Sequence, residues 1–425
     1  MIPMVRLKTG HFFMNEQQKQ SDGFNGLGLS AKMVQILDRL GFKTPTPIQK
    51  KSIPHVLAGT DMIGIAQTGT GKTFAYGLPL LERLEQIKGP ILILVPTREL
   101  ALQVDESLRK IGKFFDLRTA VVMGGESAGR QIVALKRDPH VIVATPGRLI
   151  DLADRKIVRL ERIKALVLDE ADTMFDMGFA PQVTKIINQI SRERQTLLFS
   201  ATMPPSIAKL VAIHMRLPVT IEVAPQGSTV ERVEQEMYVI KKEDKLAQVK
   251  EILQRTTGSV LIFSRTKHGA KALAAKVRAM GIKAAEIHSN LSLIQRRKSL
   301  DGFKSGEFRV LIGTDIAARG IDVKGIALVI NYDLPSTPED YVHRIGRTGR
   351  AGQTGLAISF ATPDQGKEIR NIESLIKKSI KLIELAQLEF TPHRPKSKFG
   401  QKSVWSQPKT QRPGQRPLYT SHHKH

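Results

Sequence analysis

Three short segments of the chain carry residue types that could do phosphate chemistry. The first, Gly69-Thr70-Gly71-Lys72-Thr73, follows the apolar run Met62 to Ile65 and precedes a helical pattern. Its glycines let the backbone wrap an anion, and N–H groups at a helix N-terminus point at it. Lys72 adds a point charge for β and γ phosphates, and Thr73 a hydroxyl for magnesium. The second segment, Asp169 and Glu170, follows Leu166-Val167-Leu168. It therefore sits past the end of a buried strand, at the edge where open α/β sheets bind ligands. There Asp169 can hold the cation, largely through waters, and Glu170 can orient or deprotonate the attacking water. The third, His343 to Arg350, spaces arginines three apart with glycines between them. Arg347 and Arg350, delivered from a neighbouring domain, would place positive charge where γ-phosphate charge develops, and only when the domains close.

Each segment alone has a plainer reading: a glycine-rich turn without nucleotide, a solvated acidic turn, a solvated basic patch. Their joint occurrence favours nucleotide hydrolysis. The usual first glycine of the phosphate loop is Ala66 here.

Positioning these residues requires strands that end beside one another. Short aliphatic runs, each followed by a polar or glycine-containing turn and a helical pattern, give the βαβ signature of a parallel sheet. One set comprises Met62–Ile65, Ile91–Val95, Val121–Met123, Val141–Ala144, Leu166–Leu168 and Thr196–Phe199. A second comprises Val260–Phe263, Ala284–Ile287, Val310–Ile312, Leu328–Ile330 and Ala357–Phe360. Between them, Leu217 to Arg232 has two prolines and a Gln-Gly-Ser-Thr stretch, as a linker would, with the boundary near Gly227. Leu273, Val277 and Met280 form a helical stripe closed by Gly281, which predicts core packing rather than a site.

With 425 residues the chain suits two domains and a tail. Lys plus Arg number 65 against 40 acidic residues, a net charge of +25 that attracts polyanions, nucleic acid before an anionic membrane surface. Cysteine is absent, which excludes disulfides and thiolate metal sites and fits a cytoplasmic protein. No run of about 18 apolar residues offers a membrane span. From Thr391 onward there is no acidic residue, and the composition reads as a disordered basic tail. Lys396, Lys398, Lys402, Lys409, Arg412 and Arg416, with Trp405 and Tyr419, make that tail either an auxiliary RNA tether or a merely solvating one.

Taken in order, the motifs resemble the DEAD-box RNA helicases of superfamily two, in a short bacterial-type form, from Phe24 to roughly Thr391. They are Phe24, then Gly41 to Gln49, Ala66 to Thr73, Pro96-Thr97-Arg98-Glu99-Leu100-Ala101, Gly124-Gly125 and Thr145-Pro146-Gly147-Arg148. Asp169-Glu170-Ala171-Asp172, Ser200-Ala201-Thr202, Thr314-Asp315, Ala318 to Asp322 and His343 to Arg350 follow. The resemblance implies two tandem RecA-like parallel-sheet domains with a flexible linker. Its divisions are an N-terminal extension (1–21), an adenine-recognition motif (22–50), an ATP-binding domain (53–222), a linker (223–232), a C-terminal domain (233–391) and a tail (392–425).

By that resemblance Phe24 stacks on adenine and Gln49 hydrogen-bonds its edge, so ATP is preferred over GTP. Ala66, Gln67, Thr68, Gly69, Thr70, Gly71, Lys72 and Thr73 cradle the phosphates, Thr73 and Asp169 serve Mg2+, and Gly320 and Asp322 join the nucleotide site. Thr97, Arg98, Gly125, Thr145 and Arg148, with Arg265 and Thr314, resemble contacts to the RNA backbone, indifferent to base sequence. Asp172, Ser200, Thr202 and His343 resemble the segment that couples ATP state to unwinding. The family often has Gln-x-x-Arg where this chain reads Leu293-Ile294-Gln295-Arg296, so that second-domain contact is not carried over.

The implied function is an ATPase that clamps RNA, bends one strand and separates short duplexes, remodelling RNA or RNA–protein complexes. It would act as a monomer in the cytoplasm, on ribosome-precursor or mRNA-decay complexes. The alternative is an ATP-gated RNA clamp without physiological unwinding. A DNA translocase fits the Gln49 motif and Asp172 poorly, and a signalling switch leaves the second half unexplained.

Overall fold

Aliphatic runs of four to seven residues form two seven-stranded sheets, each parallel throughout. The first contains β1 (Met62–Ile65), β2 (Ile91–Leu94), β3 (Thr119–Val122), β4 (Val141–Ala144), β5 (Ala165–Asp169), β6 (Gln195–Ser200) and β7 (Val219–Glu222), in the order β3-β4-β2-β5-β6-β1-β7. The second contains β8 (Val233–Val239), β9 (Ser259–Phe263), β10 (Ala284–Ile287), β11 (Val310–Gly313), β12 (Ile326–Asn331), β13 (Gly355–Ala361) and β14 (Lys381–Glu384), in the order β10-β11-β9-β12-β13-β8-β14. The computed structural model describes residues 23–67, 69–223, 233–318, 323, 325–349 and 355–384. The N-terminal extension, linker residues 224–232 and the basic tail lie outside the described residues, as do Thr68, Gly320, Asp322 and Arg350.

Helices cover both faces of each sheet, so successive strand residues enter opposite cores. Along β2, Ile91 and Ile93 join one core while Leu92 and Leu94 join the other. In β9, Leu261 and Phe263 face one way and Val260 and Ile262 the other. The stripe of Leu273 and Val277 is buried on the helix Lys267–Ala279, and Gly281 follows with φ +78°.

Strands β7, β8 and β14 do not stand out in the sequence. Strand β7 occupies the start of the stretch whose composition suggests a linker, and it pairs with β1 along its whole length. Its alternation is polar and short, and pairing rather than propensity makes it a strand.

Candidate functional site at the strand ends

The helix Lys72–Glu82 begins at Gly71, which has φ +90°, and Gly69 has φ +81°. Both lie in the left-handed region open to glycine. A Cβ on Gly71 would stand 2.5 Å from Gln49 Nε2. That closeness reflects a strap: Gln49 Oε1 accepts from Thr46 N at 2.9 Å, and Nε2 donates to Gly71 O at 3.0 Å. A side-chain amide has two N–H bonds and two lone pairs, so these two bonds use one of each. Ala66 N donates to Ser200 O at 2.9 Å, and the Thr70 hydroxyl to Gln67 O at 2.8 Å.

The expectation that Phe24 stacks on adenine needs correction. Phe24 is 4% exposed and packs in the core of the first domain, so its ring has no free face for a base. The aromatic left open is Phe42, 37% exposed, seven residues before Gln49 and edge-on to Phe74 with ring centroids 4.9 Å apart.

Asp169 ends β5, next to β6 in the sheet, and Glu170 turns the chain into the helix Ala171–Asp176 with φ +54°. A left-handed non-glycine residue costs about 1–2 kcal/mol, strain that gathers at functional sites. Asp169 Oδ2 accepts from the Tyr76 hydroxyl at 2.9 Å. Asp169 Oδ1, Glu170 Oε2 and Lys72 Nζ are all buried without a hydrogen-bond partner among the described residues. Burial pushes both carboxyls above the ordinary carboxylate range, partly offset by the Lys72 charge and, for Glu170, by Arg347.

Asp172 joins this edge to the second domain. Its Oδ2 accepts from Ala201 N and Thr202 N, both at 2.9 Å, and from Thr202 Oγ1 at 3.1 Å, while Ser200 Oγ accepts from Asp172 N at 3.2 Å. Burial opposes its charge, but His343, Lys72 and the Thr173 and Thr202 amides outweigh it and hold the carboxyl below its usual range. His343 Nε2 lies 3.9 Å from Asp172 Oδ2. Ligand-type atoms of Asp176, Asp340 and His343 lie within 4.8 Å of one another. Arg347 is buried, and its Nε donates to His343 O at 3.3 Å. Thus Asp172, Ser200, Thr202, His343 and Arg347 lie together at this edge.

Arg344, between the two, does something else. It pairs with Asp315, donates to Asn331 Oδ1 at 3.1 Å and Asp333 O at 2.6 Å, and stacks over Phe263. It ties the helix Pro338–Ile345 to its own sheet. A second bond across the domains joins Arg296 Nη2 to Glu99 Oε2 at 2.7 Å, both buried. Arg296 of Leu293-Ile294-Gln295-Arg296 thus reaches the first domain. Leu293 instead lines an apolar groove of ≈ 340 Å³ with Leu102, Val121, Met123 and Ile294.

The residues expected at RNA gather on the same edge of the first sheet, where β2, β3 and β4 end. Thr97 caps the helix Arg98–Gly112 by accepting from Leu100 N at 3.2 Å. Arg98 lies against Gly125, where a Cβ would come within 1.9 Å of Arg98 Nη1. Thr145 N donates to Val122 O at 2.9 Å, and Arg148 Nη1 to Glu126 O at 3.2 Å. In the second sheet, Arg265 follows β9, its amide bound to Asp333 Oδ2 at 3.0 Å and its guanidinium to Leu334 O at 3.2 Å. Thr314 follows β11 and donates to Ile287 O at 3.4 Å.

The sequence assigns no individual role to Tyr76, nor to Glu99 and Phe42, which fall inside the motifs Pro96 to Ala101 and Gly41 to Gln49. For Tyr76 the available signal is its spacing, four residues after Lys72 and so on the same helix face.

Comparison with known proteins bears on the same residues. Residues 46–210 match the family model described as DEAD/DEAH box helicase, and 244–352 the helicase conserved C-terminal domain. The chain is 43% identical over 371 residues to the DEAD-box ATP-dependent RNA helicase CshA of Bacillus cereus, covering 86% of this chain and 70% of that protein. To CshA of Geobacillus kaustophilus it is 44% identical over 362 residues, covering 84% and 77%. Among solved structures it is similar to S. cerevisiae Dbp5 bound to RNA and ADP BeF3, with a TM-score of 0.77 and 32% identity, covering 85% of this chain and 96% of that one.

Proposed function

The chain belongs to the DEAD-box ATP-dependent RNA helicases, and from that membership we propose that ATP is bound and hydrolysed where β1, β5 and β6 end, with RNA held along the neighbouring edge. The observation that carries this reading is the trio of buried side-chain atoms without a hydrogen-bond partner among the described residues, Lys72 Nζ, Asp169 Oδ1 and Glu170 Oε2. A buried charge without a partner is costly, and a triphosphate with its cation offsets that cost.

In this reading the N–H groups of the loop from Ala66 to Thr73 and Lys72 hold the phosphates, and Gln49 with Phe42 selects adenine. A hydroxyl and a carboxylate are hard oxygen donors suited to magnesium. Thr73 and Asp169 would hold that ion, which when bound neutralises charge on the β and γ phosphates. Glu170, its basicity raised by burial, orients and deprotonates the attacking water. Arg347 supplies positive charge to the γ-phosphate from the second domain, with Arg350, Gly320 and Asp322 assigned to the same site by their motifs. Hydrolysis then reports to the RNA edge through Asp172, Ser200, Thr202 and His343.

Thr97, Arg98, Gly125, Thr145, Arg148, Arg265 and Thr314 grip the RNA backbone, so duplexes are opened locally without regard to sequence. Substrates of that kind are structured RNAs and RNA–protein complexes, which we place on ribosome precursors or decaying mRNA, met by a cytoplasmic monomer. Among the described residues no helix is long and apolar enough to cross a membrane.

Displacement of a short RNA duplex, measured with the ATPase rate, tests the proposal. The wild type should displace the strand only with ATP, and DNA should stimulate hydrolysis less than RNA. RNA-stimulated hydrolysis without displacement would leave an ATP-gated clamp, and stimulation by DNA above RNA would remove the RNA assignment.

A further inference from the structure

Tyr76 is buried on the helix that follows the phosphate loop, one turn beyond Lys72, and packs at 5.3 Å between ring centroids against Phe199 of β6. Its hydroxyl donates at 2.9 Å to Asp169 Oδ2 in a fully buried hydrogen bond, leaving Asp169 Oδ1 without a partner among the described residues. The hydroxyl is therefore a fixed donor to Asp169.

A carboxylate at a strand end rotates about its Cβ–Cγ bond, and that torsion is broad. A donor locked onto one oxygen removes the freedom and commits the other. We propose that Tyr76 is a positioning residue for the divalent cation of the nucleotide: by occupying Asp169 Oδ2 it holds Oδ1 toward the cation's water shell. A phenylalanine would fill the same volume beside Phe199 without giving the carboxylate a donor. The inference rests on the assignment of Asp169 to the cation.

The test is Tyr76→Phe in the full chain, with Asp169→Asn and the double variant. Binding of a fluorescent, non-hydrolysable ATP analogue is titrated with MgCl2, alongside binding in EDTA. Losing a hydrogen-bond partner of a metal ligand costs about tenfold in metal affinity. Tyr76→Phe should raise the half-saturating Mg2+ concentration by about that factor, leave binding in EDTA unchanged, and add nothing in the Asp169→Asn background. An unchanged Mg2+ midpoint in Tyr76→Phe, where Asp169→Asn shifts it, overturns the role of Tyr76 alone. An equal loss of binding in EDTA overturns it too, because the effect is then on packing. An unshifted midpoint in Asp169→Asn removes the cation assignment on which the inference stands.

Discussion

Glu99 of the first domain and Arg296 of the second meet at 2.7 Å in a buried ion pair. Removing either partner leaves the other charge uncompensated in the closed arrangement, a loss of about 3–5 kcal/mol. Arg296→Ala should therefore raise the RNA concentration that half-saturates ATPase by at least about tenfold, while nucleotide binding without RNA stays at the wild-type level. Equal RNA dependence in the two proteins would show that the pair does not support closure.

The two catalytic assignments separate in one experiment. Lys72→Ala should abolish hydrolysis together with nucleotide affinity. Glu170→Gln keeps the shape of the site but loses the base, so hydrolysis should stop while ATP-dependent RNA binding persists. Filter binding with and without ATP, beside phosphate release, reads both. Wild-type turnover in Glu170→Gln contradicts its role.

Arg347 lies in the other domain yet its charge reaches Glu170. Removing one preorganised charge from a transition state costs on the order of 10²- to 10³-fold in rate. Arg347→Ala should lose turnover on that scale in single-turnover kinetics, with ATP affinity little changed. A rate within the error of wild type would place the arginine outside the reaction.

The proposed reading assigns base selection to Gln49. Because Gln49 also straps Gly71, a substitution loosens the loop for every nucleotide, and only the ratio between nucleotides isolates adenine recognition. A bidentate amide on adenine contributes about 1–3 kcal/mol of discrimination. Gln49→Ala should cut the ATP over GTP preference in kcat/KM by about tenfold or more. A preserved ratio would assign Gln49 to the loop alone.

The sign of the pH dependence follows from Asp172, whose folded carboxyl titrates below its ordinary value of 3.8. Its contribution is fully present above that value and is lost as pH falls through the lower folded one. At neutral pH, Asp172→Asn should destabilise by about 1–3 kcal/mol in denaturant unfolding. The gap between the two proteins should narrow below the ordinary carboxylate value, and a gap that widened there would reverse the assignment.

Much of this site is legible in sequence because its parts are local. Gly69, Gly71 and Lys72 lie within four residues and fix their own geometry, and Asp169 follows a strand whose burial is evident from Leu166-Val167-Leu168. What stays hidden is long-range. The Glu99–Arg296 pair spans 197 positions, and the Tyr76–Asp169 bond spans 93. Phe24 misleads because a motif marks its position but not its exposure, and burial depends on how the helix Ala31–Arg39 packs. Strand β7 escapes notice because only its pairing with β1 distinguishes Val219–Glu222 from a linker.

The central claim is that the ATP site is completed only when the two domains close. The absence of native cysteine allows one introduced thiol in each domain to carry a dye pair. Energy transfer should rise when RNA and a non-hydrolysable ATP analogue are both present, and Arg347→Ala should weaken the rise. Transfer that stays the same with neither ligand, either one, or both would contradict closure as the basis of activity.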